Sequence, residues 1–291
     1  MELLDSIPQN RPVLIAGPTA SGKSGLAMRI AKRGGRIINA DALQVFADWR
    51  VLTARPSAED EARAAHVLYG HVEWERAYST GDWLRDVAPL LGGPRPIIVG
   101  GTGLYFRALT EGLADIPAIP AEIREEAIAR LEDIGLSRLA EELDEDVRAD
   151  LDLSNPMRVL RAWEVKRATG RSIRAWQAET PPPLLRLQDA TCIVIEAPVD
   201  WLDERIALRF DTMLKAGALD EVRRILPRWD PRLNAARAIG AAELVGYLNG
   251  EAGLDQARDA AILATRQYAK RQRTWFRNRM KGWVRVNART F

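Results

Sequence analysis

The residues best equipped for chemistry lie near the start of the chain. Gly17-Pro18-Thr19-Ala20-Ser21-Gly22-Lys23-Ser24 follows a short apolar run at 13–16 and opens a helical pattern at 25–32. The spacing G-x-x-x-x-G-K-S between a strand and a helix is an arrangement that binds phosphate. Its glycines let the backbone curl until successive N–H groups point at phosphate oxygens, and the helix N-terminus adds partial positive charge. Lys23 is placed to neutralise the terminal phosphate, and Ser24 offers a hydroxyl to Mg²⁺. The loop does not distinguish a triphosphate that is cleaved from a diphosphate that departs. A hydrolase pairs it with an apolar strand ending in an acid, whereas Ile97-Ile98-Val99 runs into Gly100, Gly101 and Thr102. The run that does end in a carboxylate is Arg36-Ile37-Ile38-Asn39-Ala40-Asp41, and Asp41 suits a metal ligand, a base acting on an acceptor, or a helix cap.

Such groups need a scaffold, and the hydropathy pattern outlines one. Short apolar runs bounded by turn residues at 13–16, 36–39, 97–99 and 191–196 read as four buried strands, with helical patterns between them. This alternation predicts an α/β fold, a P-loop NTPase-like parallel sheet flanked by helices. From about residue 116 to 180 the rhythm breaks. Ile123, Ala127, Ile128 and Leu131, then Val159, Leu160 and Trp163, keep helical spacing with no strand among them. The expected organisation is a core from 1–115 and 185–291 around an all-helical insert domain at 116–184. Within the second core segment, helices are expected near 201–216, 220–226, 235–248 and 254–280.

Composition narrows the class. With 47% hydrophobic residues the chain has ample material for a core, which excludes global disorder. No apolar run approaches the roughly 20 residues needed to cross a bilayer, and the N-terminus lacks a basic-then-apolar leader, so a cytoplasmic location with no membrane contact is expected. A single cysteine, Cys192, excludes an internal disulfide, and His66 and His71 are too few for a Cys/His zinc cluster. Cys192 is expected to be a buried, inert thiol and His66 a packed histidine. The 42 basic and 40 acidic residues nearly cancel, yet no Asp or Glu follows Asp259, while Arg266, Lys270, Arg271, Arg273, Arg277, Arg279, Lys281, Arg285 and Arg289 do. A stretch of one sign is a candidate surface for a polyanion, and equally an ordinary solvated helix face.

Four further segments join the loop in a resemblance. Asp41-Ala42-Leu43-Gln44-Val45-Phe46 is similar to a D-S-x-Q-[VI]-Y signature, Thr53-Ala54-Arg55-Pro56 to T-A-K-P, and Val99-Gly100-Gly101-Thr102-Gly103-Leu104-Tyr105 to V-G-G-T-x-L-Y. Near the C-terminus, Thr265-Arg266-Gln267-Tyr268-Ala269-Lys270-Arg271-Gln272-Arg273-Thr274-Trp275 is similar to T-R-Q-x-A-K-R-Q-x-T-W. Together and in this order they resemble the tRNA dimethylallyltransferase (tRNA isopentenyltransferase) family, in its short bacterial form without a Cys/His finger.

The resemblance implies transfer of a dimethylallyl group from dimethylallyl diphosphate to N6 of the adenine on the 3′ side of the tRNA anticodon, with release of diphosphate. It implies Asp41 as the base toward the amine, Thr102 beside diphosphate and acceptor, and Arg209 on the diphosphate end, with Mg²⁺ on Ser24. A departing diphosphate needs no water-activating acid, which accounts for the glycines after Val99. The implied contacts to the tRNA anticodon stem-loop are Asp41, Ala42, Leu43, Gln44, Thr102, Arg124, Met157, Arg158, Val159, Leu160, Arg161 and Arg237. The basic tail adds Arg271 and Arg273, interleaved with Trp275, Phe276 and Trp283 as aromatics for an RNA surface, Trp275 and Phe276 fitting core packing equally well. Departures from the family pattern fall at Ala42, Phe46, Leu52, Arg55, Ala65 and Ala241 and bear on acceptor preference and rate. A monomer is expected. The residues alone also accommodate an adenylate dimethylallyltransferase, a P-loop small-molecule kinase, or an RNA-binding protein with a relict loop.

Overall fold

The computed structural model describes residues 3–290. Six strands, β1 (Val13–Ala16), β2 (Arg36–Asn39), β3 (His66–Val67), β4 (Pro96–Gly100), β5 (Thr191–Glu196) and β6 (Val284–Asn287), form one sheet in the order β3-β2-β4-β1-β5-β6. All the pairings are parallel, with Leu14 opposite both Ile98 and Cys192. Side chains alternate between two cores, as a two-residue period requires. Leu14, Ile38, Ile98, Cys192 and Val194 enter one, and Val13, Ile15, Ile37, Ile97, Ile193 and Ile195 the other. Because both faces are covered, the strands read as continuous apolar runs.

Before the insert come helices α1 (Lys23–Ala31), α2 (Ala58–Arg63), α3 (Thr80–Val87) and α4 (Gly103–Glu111). Helices α5 (Ala121–Glu141), α6 (Glu145–Asp150), α7 (Pro156–Thr169) and α8 (Ile173–Ala178) follow, then α9 (Val199–Lys215), α10 (Ala218–Ile225), α11 (Ala241–Leu248) and α12 (Leu254–Arg279). The α1 helix packs Leu26, Ala27 and Ile30 into the core of Val13 and Ile15. Residues of α9, α10, α11 and α12 fill the opposite core.

The chain divides into two compact units, one of residues up to 110 and from 184, the other Glu111–Pro183. The second unit is helical throughout its regular elements and has its own core of Ala127, Leu139, Val159 and Leu160 among others. Its α7 starts where Asn155 accepts from the N–H groups of Met157 and Arg158, with Pro156 in the first turn, and stops at Gly170 in the left-handed region.

Two of the six strands escape the hydropathy reading. β3 has only two residues, and β6 is an edge strand, Val284-Arg285-Val286-Asn287, whose alternation is hidden in the basic tail. The helix expected over 235–248 is broken: a 3₁₀ turn, Ala235–Arg237, precedes Gly240 at φ 96°, and α11 begins only at Ala241. Cys192 is buried as expected, and burial pushes its thiol up to about 11. Two of the aromatics considered for an RNA surface are core residues: Phe276 takes the core alternative, and Trp283 corrects the expectation. Phe276 is 1% exposed and Trp283 is buried edge-on against Phe106 at 5.4 Å, because the phase of α12 and the approach to β6 turn both inward. His66 is packed, its Nδ1 2.8 Å from the Ala64 carbonyl and its ring edge-on to Tyr69.

Candidate active site

The loop after β1 turns back on itself before α1. Ser21 N–H donates to the Pro18 carbonyl at 3.2 Å, Ala20 takes φ 63° and Gly22 takes φ 86°. An alanine held in the left-handed region is strained, and such strain persists where the surroundings enforce it. Here Arg205 of α9 donates from Nε to the Ala20 carbonyl at 3.0 Å while its guanidinium stacks on Trp201 at 4.5 Å. Lys23 reaches over the loop to the Pro18 carbonyl at 3.4 Å. Burial brings its pKa down to about 8, against the pull of Asp41, with Arg209 adding to the fall. Ser24 is exposed in the first turn of α1.

Asp41 follows β2 in a turn fixed by a buried asparagine. Asn39 Oδ1 accepts from the Asp41 N–H at 2.9 Å, and its Nδ2 donates to the carbonyls of Asp41 and Leu68. Asp41 Oδ1 accepts from Leu43 N–H at 3.0 Å. Thr102 comes from the loop after β4. Its Oγ1 accepts from Ala42 N–H at 2.9 Å, and its N–H donates to the Ala40 carbonyl at 3.1 Å, which locks the two loops together. Arg209 on α9 donates from Nη2 to Thr19 Oγ1 at 2.7 Å. Its pKa falls to about 10 through burial, with Asp41 opposing and Arg205 assisting. Two buried cations, Lys23 and Arg209, beside the one carboxylate of Asp41 leave positive charge in excess, which suits an anionic ligand.

Sequence reasoning did not assign Gln272 and Tyr268, both from α12. Gln272 Oε1 accepts from Thr19 N–H at 2.8 Å and its Nε2 donates to the Gly101 carbonyl at 2.9 Å, so one buried amide ties the phosphate loop to the Thr102 loop. Tyr268 lines the cavity near Asp41, and burial raises the pKa of its hydroxyl, as does Asp41. The signal was present in the T-R-Q-x-A-K-R-Q segment, but nothing in spacing says which of its faces turns inward. This helix also explains the glycines after β4. A Cβ on Gly101 would lie 2.2 Å from Gln272 Nε2, and one on Gly103 would lie 2.3 Å from the Trp275 ring.

A small cavity of about 60 Å³ opens between Thr19, Asp41, Arg209 and Tyr268. The rest of its wall is largely apolar, including Leu43, Leu52, Ile206, Phe210, Met213 and Ile239. Leu52, a departure from the family pattern, is thus part of this wall. A charged end joined to an apolar wall fits an amphiphile with a phosphorylated head.

The remaining candidates separate. Gln44 is occupied within the chain, its Nε2 donating to the carbonyls of Thr53 and Ala54 at 2.8 and 3.0 Å. In the helical unit, Arg124, Met157 and Arg158 are exposed and Arg161 is half-buried, whereas the side chains of Val159 and Leu160 fill that unit's core. Arg158 pairs with Asp152 at 3.5 Å and Arg161 with Glu164 at 3.8 Å. Arg237 is exposed. Arg271 is exposed over the Tyr268 ring, and Arg273 points to another side of α12 with its Nε buried and unpartnered.

A parallel sheet whose first strand feeds a phosphate loop, with the loops after β2 and β4 locked beside it, defines a P-loop enzyme of the group-transferring kind. The family is settled by comparison. The IPP transferase family model matches residues 44–279. A tRNA dimethylallyltransferase of Cereibacter sphaeroides is 62% identical over 285 residues, covering 97% of this chain and 91% of the relative. One from a Ruegeria species is 59% identical over 286 residues, covering 98% of each. The crystal structure of a full-length tRNA isopentenylpyrophosphate transferase from Bacillus halodurans superposes with a TM-score of 0.68 at 30% identity, over 96% of this chain and 90% of that one. The chain belongs to the IPP transferase family of prenyl-transferring, tRNA-modifying enzymes. Among the described residues, no helix is long and apolar enough to cross a membrane.

Proposed function

We propose that the protein transfers the dimethylallyl group of dimethylallyl diphosphate to N6 of the adenine 3′-adjacent to the tRNA anticodon. The observation that carries this reading is the single cavity wall on which an apolar surface, the Asp41 carboxylate and the Arg209 cation meet. The prenyl chain lies against Leu43, Leu52, Ile206 and Phe210, and its diphosphate lies on the loop N–H groups, Lys23 and Arg209. As the bond from C1 to the diphosphate oxygen breaks, N6 bonds to C1, the bridging electron pair leaves with diphosphate, and the N6 proton passes to Asp41. Lys23 and Arg209 hold the charge that develops on the departing oxygen. Thr102, whose Oγ1 holds the Asp41 loop through Ala42 N–H, and Tyr268, on the cavity wall, position the acceptor side.

The residues fit Mg²⁺ in one way. No group of three or more His, Cys, Asp or Glu side chains is placed to hold a metal among the described residues, while Ser24 exposes its hydroxyl at the loop. Mg²⁺ would bind Ser24 Oγ together with substrate diphosphate oxygens and water, its customary ligand set. When bound it neutralises the departing diphosphate.

The acceptor base must be unstacked before it reaches the cavity, an expense of a few kcal/mol that contacts elsewhere offset. Arg124, Met157, Arg158 and Arg161 of the helical unit, with Arg237 and Arg271 of the core, are the accessible groups we assign to the anticodon stem-loop. The test is incubation with Mg²⁺, dimethylallyl diphosphate and either unmodified tRNA or AMP, followed by digestion and mass spectrometry for N6-dimethylallyl-adenosine. Prenylated adenosine in tRNA is expected. Product on AMP alone would assign a small-acceptor enzyme, and no product on either would overturn prenyl transfer to adenine.

A further inference from the structure

On α12, Thr265 and Tyr268 line the small cavity, whereas Lys270, Arg273 and Arg277 lie about 110° to 170° further round at 3.6 residues per turn. There they border a second and larger recess of about 520 Å³. Val194 and Ile195 at the end of β5 form part of its wall, with Ala197, Pro198, Phe276 and Pro18 of the phosphate loop. Arg285 of β6 adds a fourth cation. The one carboxylate in the lining, Glu196, is already held by Arg285 at 2.6 Å. Lys270, Arg273 and Arg277 have no ion pair among the described residues, and Arg273 Nε is buried with no hydrogen-bond partner.

Three uncompensated cations at one recess repel one another, and a buried donor without an acceptor is a standing penalty. A ligand bearing negatively charged oxygens relieves the first. The recess also has more than an anion needs. Its volume lies in the range of small-molecule sites, and its wall of proline, alanine, valine and phenylalanine suits a flat ring. Thr274 and Asn287 supply polar groups for a ring edge.

We propose that this recess is a second, non-catalytic site that takes a nucleotide, with its base among Pro18, Ala197 and Pro198 and its phosphate on Lys270, Arg273 and Arg277. The ligand is a free nucleoside phosphate or an unstacked nucleotide of an RNA. The site goes beyond the reaction proposed above, and its test uses binding rather than turnover, so each can fail alone.

The probe is N-methylanthraniloyl-ADP, titrated by fluorescence into the full-length protein with saturating inorganic diphosphate and Mg²⁺ present to fill the phosphate loop. Saturable binding is expected. It weakens tenfold or more in Lys270→Ala/Arg277→Ala, whose side chains are exposed and whose thermal melt matches the wild type, and in Arg273→Ala. It is unchanged in Lys23→Ala. Displacement of the probe by an anticodon stem-loop RNA assigns the natural ligand to RNA, and co-binding of probe and RNA assigns it to free nucleotides. Absence of binding once diphosphate saturates, or binding that survives the α12 substitutions and disappears in Lys23→Ala, overturns the site.

Discussion

Asp41→Asn removes the proposed proton acceptor while keeping its shape. The hydrogen bond from Leu43 N–H to Asp41 Oδ1 is one that an amide oxygen reproduces, and the turn itself is held by Asn39 on the main chain. The fold should therefore survive and the chemistry should not. A positioned base contributes about 10²- to 10⁴-fold, so the rate of prenyl transfer should fall by that factor, about 2.7 to 5.4 kcal/mol in the barrier. A second effect follows from charge. Asp41 opposes the burial that brings Lys23 down to about 8, so the variant's Lys23 loses its proton at a lower pH and the donor binds less well at pH 8. Affinity for tRNA should change much less than the rate, because the carboxylate bond strengthens mainly as the amine loses its proton. The assay is single turnover with enzyme in excess and donor saturating at pH 7, product being read by mass spectrometry beside a thermal melt and a tRNA titration. A rate close to wild type in a folded variant would remove Asp41 from proton transfer. A loss matched by an equal loss of tRNA affinity would make it a binding group.

The pKa of about 8 at Lys23 sets a pH dependence for the donor. Below it the ammonium is charged and affinity is flat; above it each pH unit should weaken donor binding roughly tenfold, as calorimetry from pH 6.5 to 9.5 would reveal, and a flat profile would deny the lysine a role. Gln272→Ala leaves Thr19 N–H and the Gly101 carbonyl without their partner, at about 1 to 3 kcal/mol for each group. Both the melting temperature and kcat/KM for the donor should drop, whereas a change in melting temperature alone would make the residue merely structural. Gly103→Ala places a Cβ 2.3 Å from the Trp275 ring, so a loss of about 1 to 3 kcal/mol in denaturant unfolding is expected, and Trp275→Leu should recover part of it. Arg158→Ala with Arg161→Ala should flatten the salt dependence of tRNA binding by about one unit of log-log slope for each phosphate no longer neutralised, and an unchanged slope would return both to their ion pairs with Asp152 and Glu164.

The legible parts of the molecule were those written in local pattern. The four strands buried on both faces appear as uninterrupted apolar runs, and the loop at 17–24 carries its own spacing. Period alone also marks the helical character of the insert. What stayed hidden depends on contacts distant in the chain. β6 is a strand because β5 offers it an edge, a fact absent from Val284-Arg285-Val286-Asn287 itself. Phe276 and Arg277 are neighbours in a basic stretch, yet one is core and the other solvent, and only the phase of α12 against the sheet decides which. Asn39 and Gln272 were illegible for the same reason: a buried amide looks like any other until its partners, Asp41 for one and Thr19 with Gly101 for the other, are known. The departure at Leu52 gains a meaning only from the cavity wall it joins.

The bond between Thr19 and Gln272 spans 253 positions of the chain. Synthesis runs from the N-terminus, so the phosphate loop emerges long before the helix that fastens it. Closing so long a loop is entropically among the slower steps of folding, and it precedes completion of the candidate site. A nascent chain that ends before α12 has formed can hold strands β1 to β5 and still lack the amide that joins Thr19 to Gly101. Fragments that stop before α12 carry the phosphate-loop sequence without Gln272, and they are expected to lack the fastened loop that the finished site has.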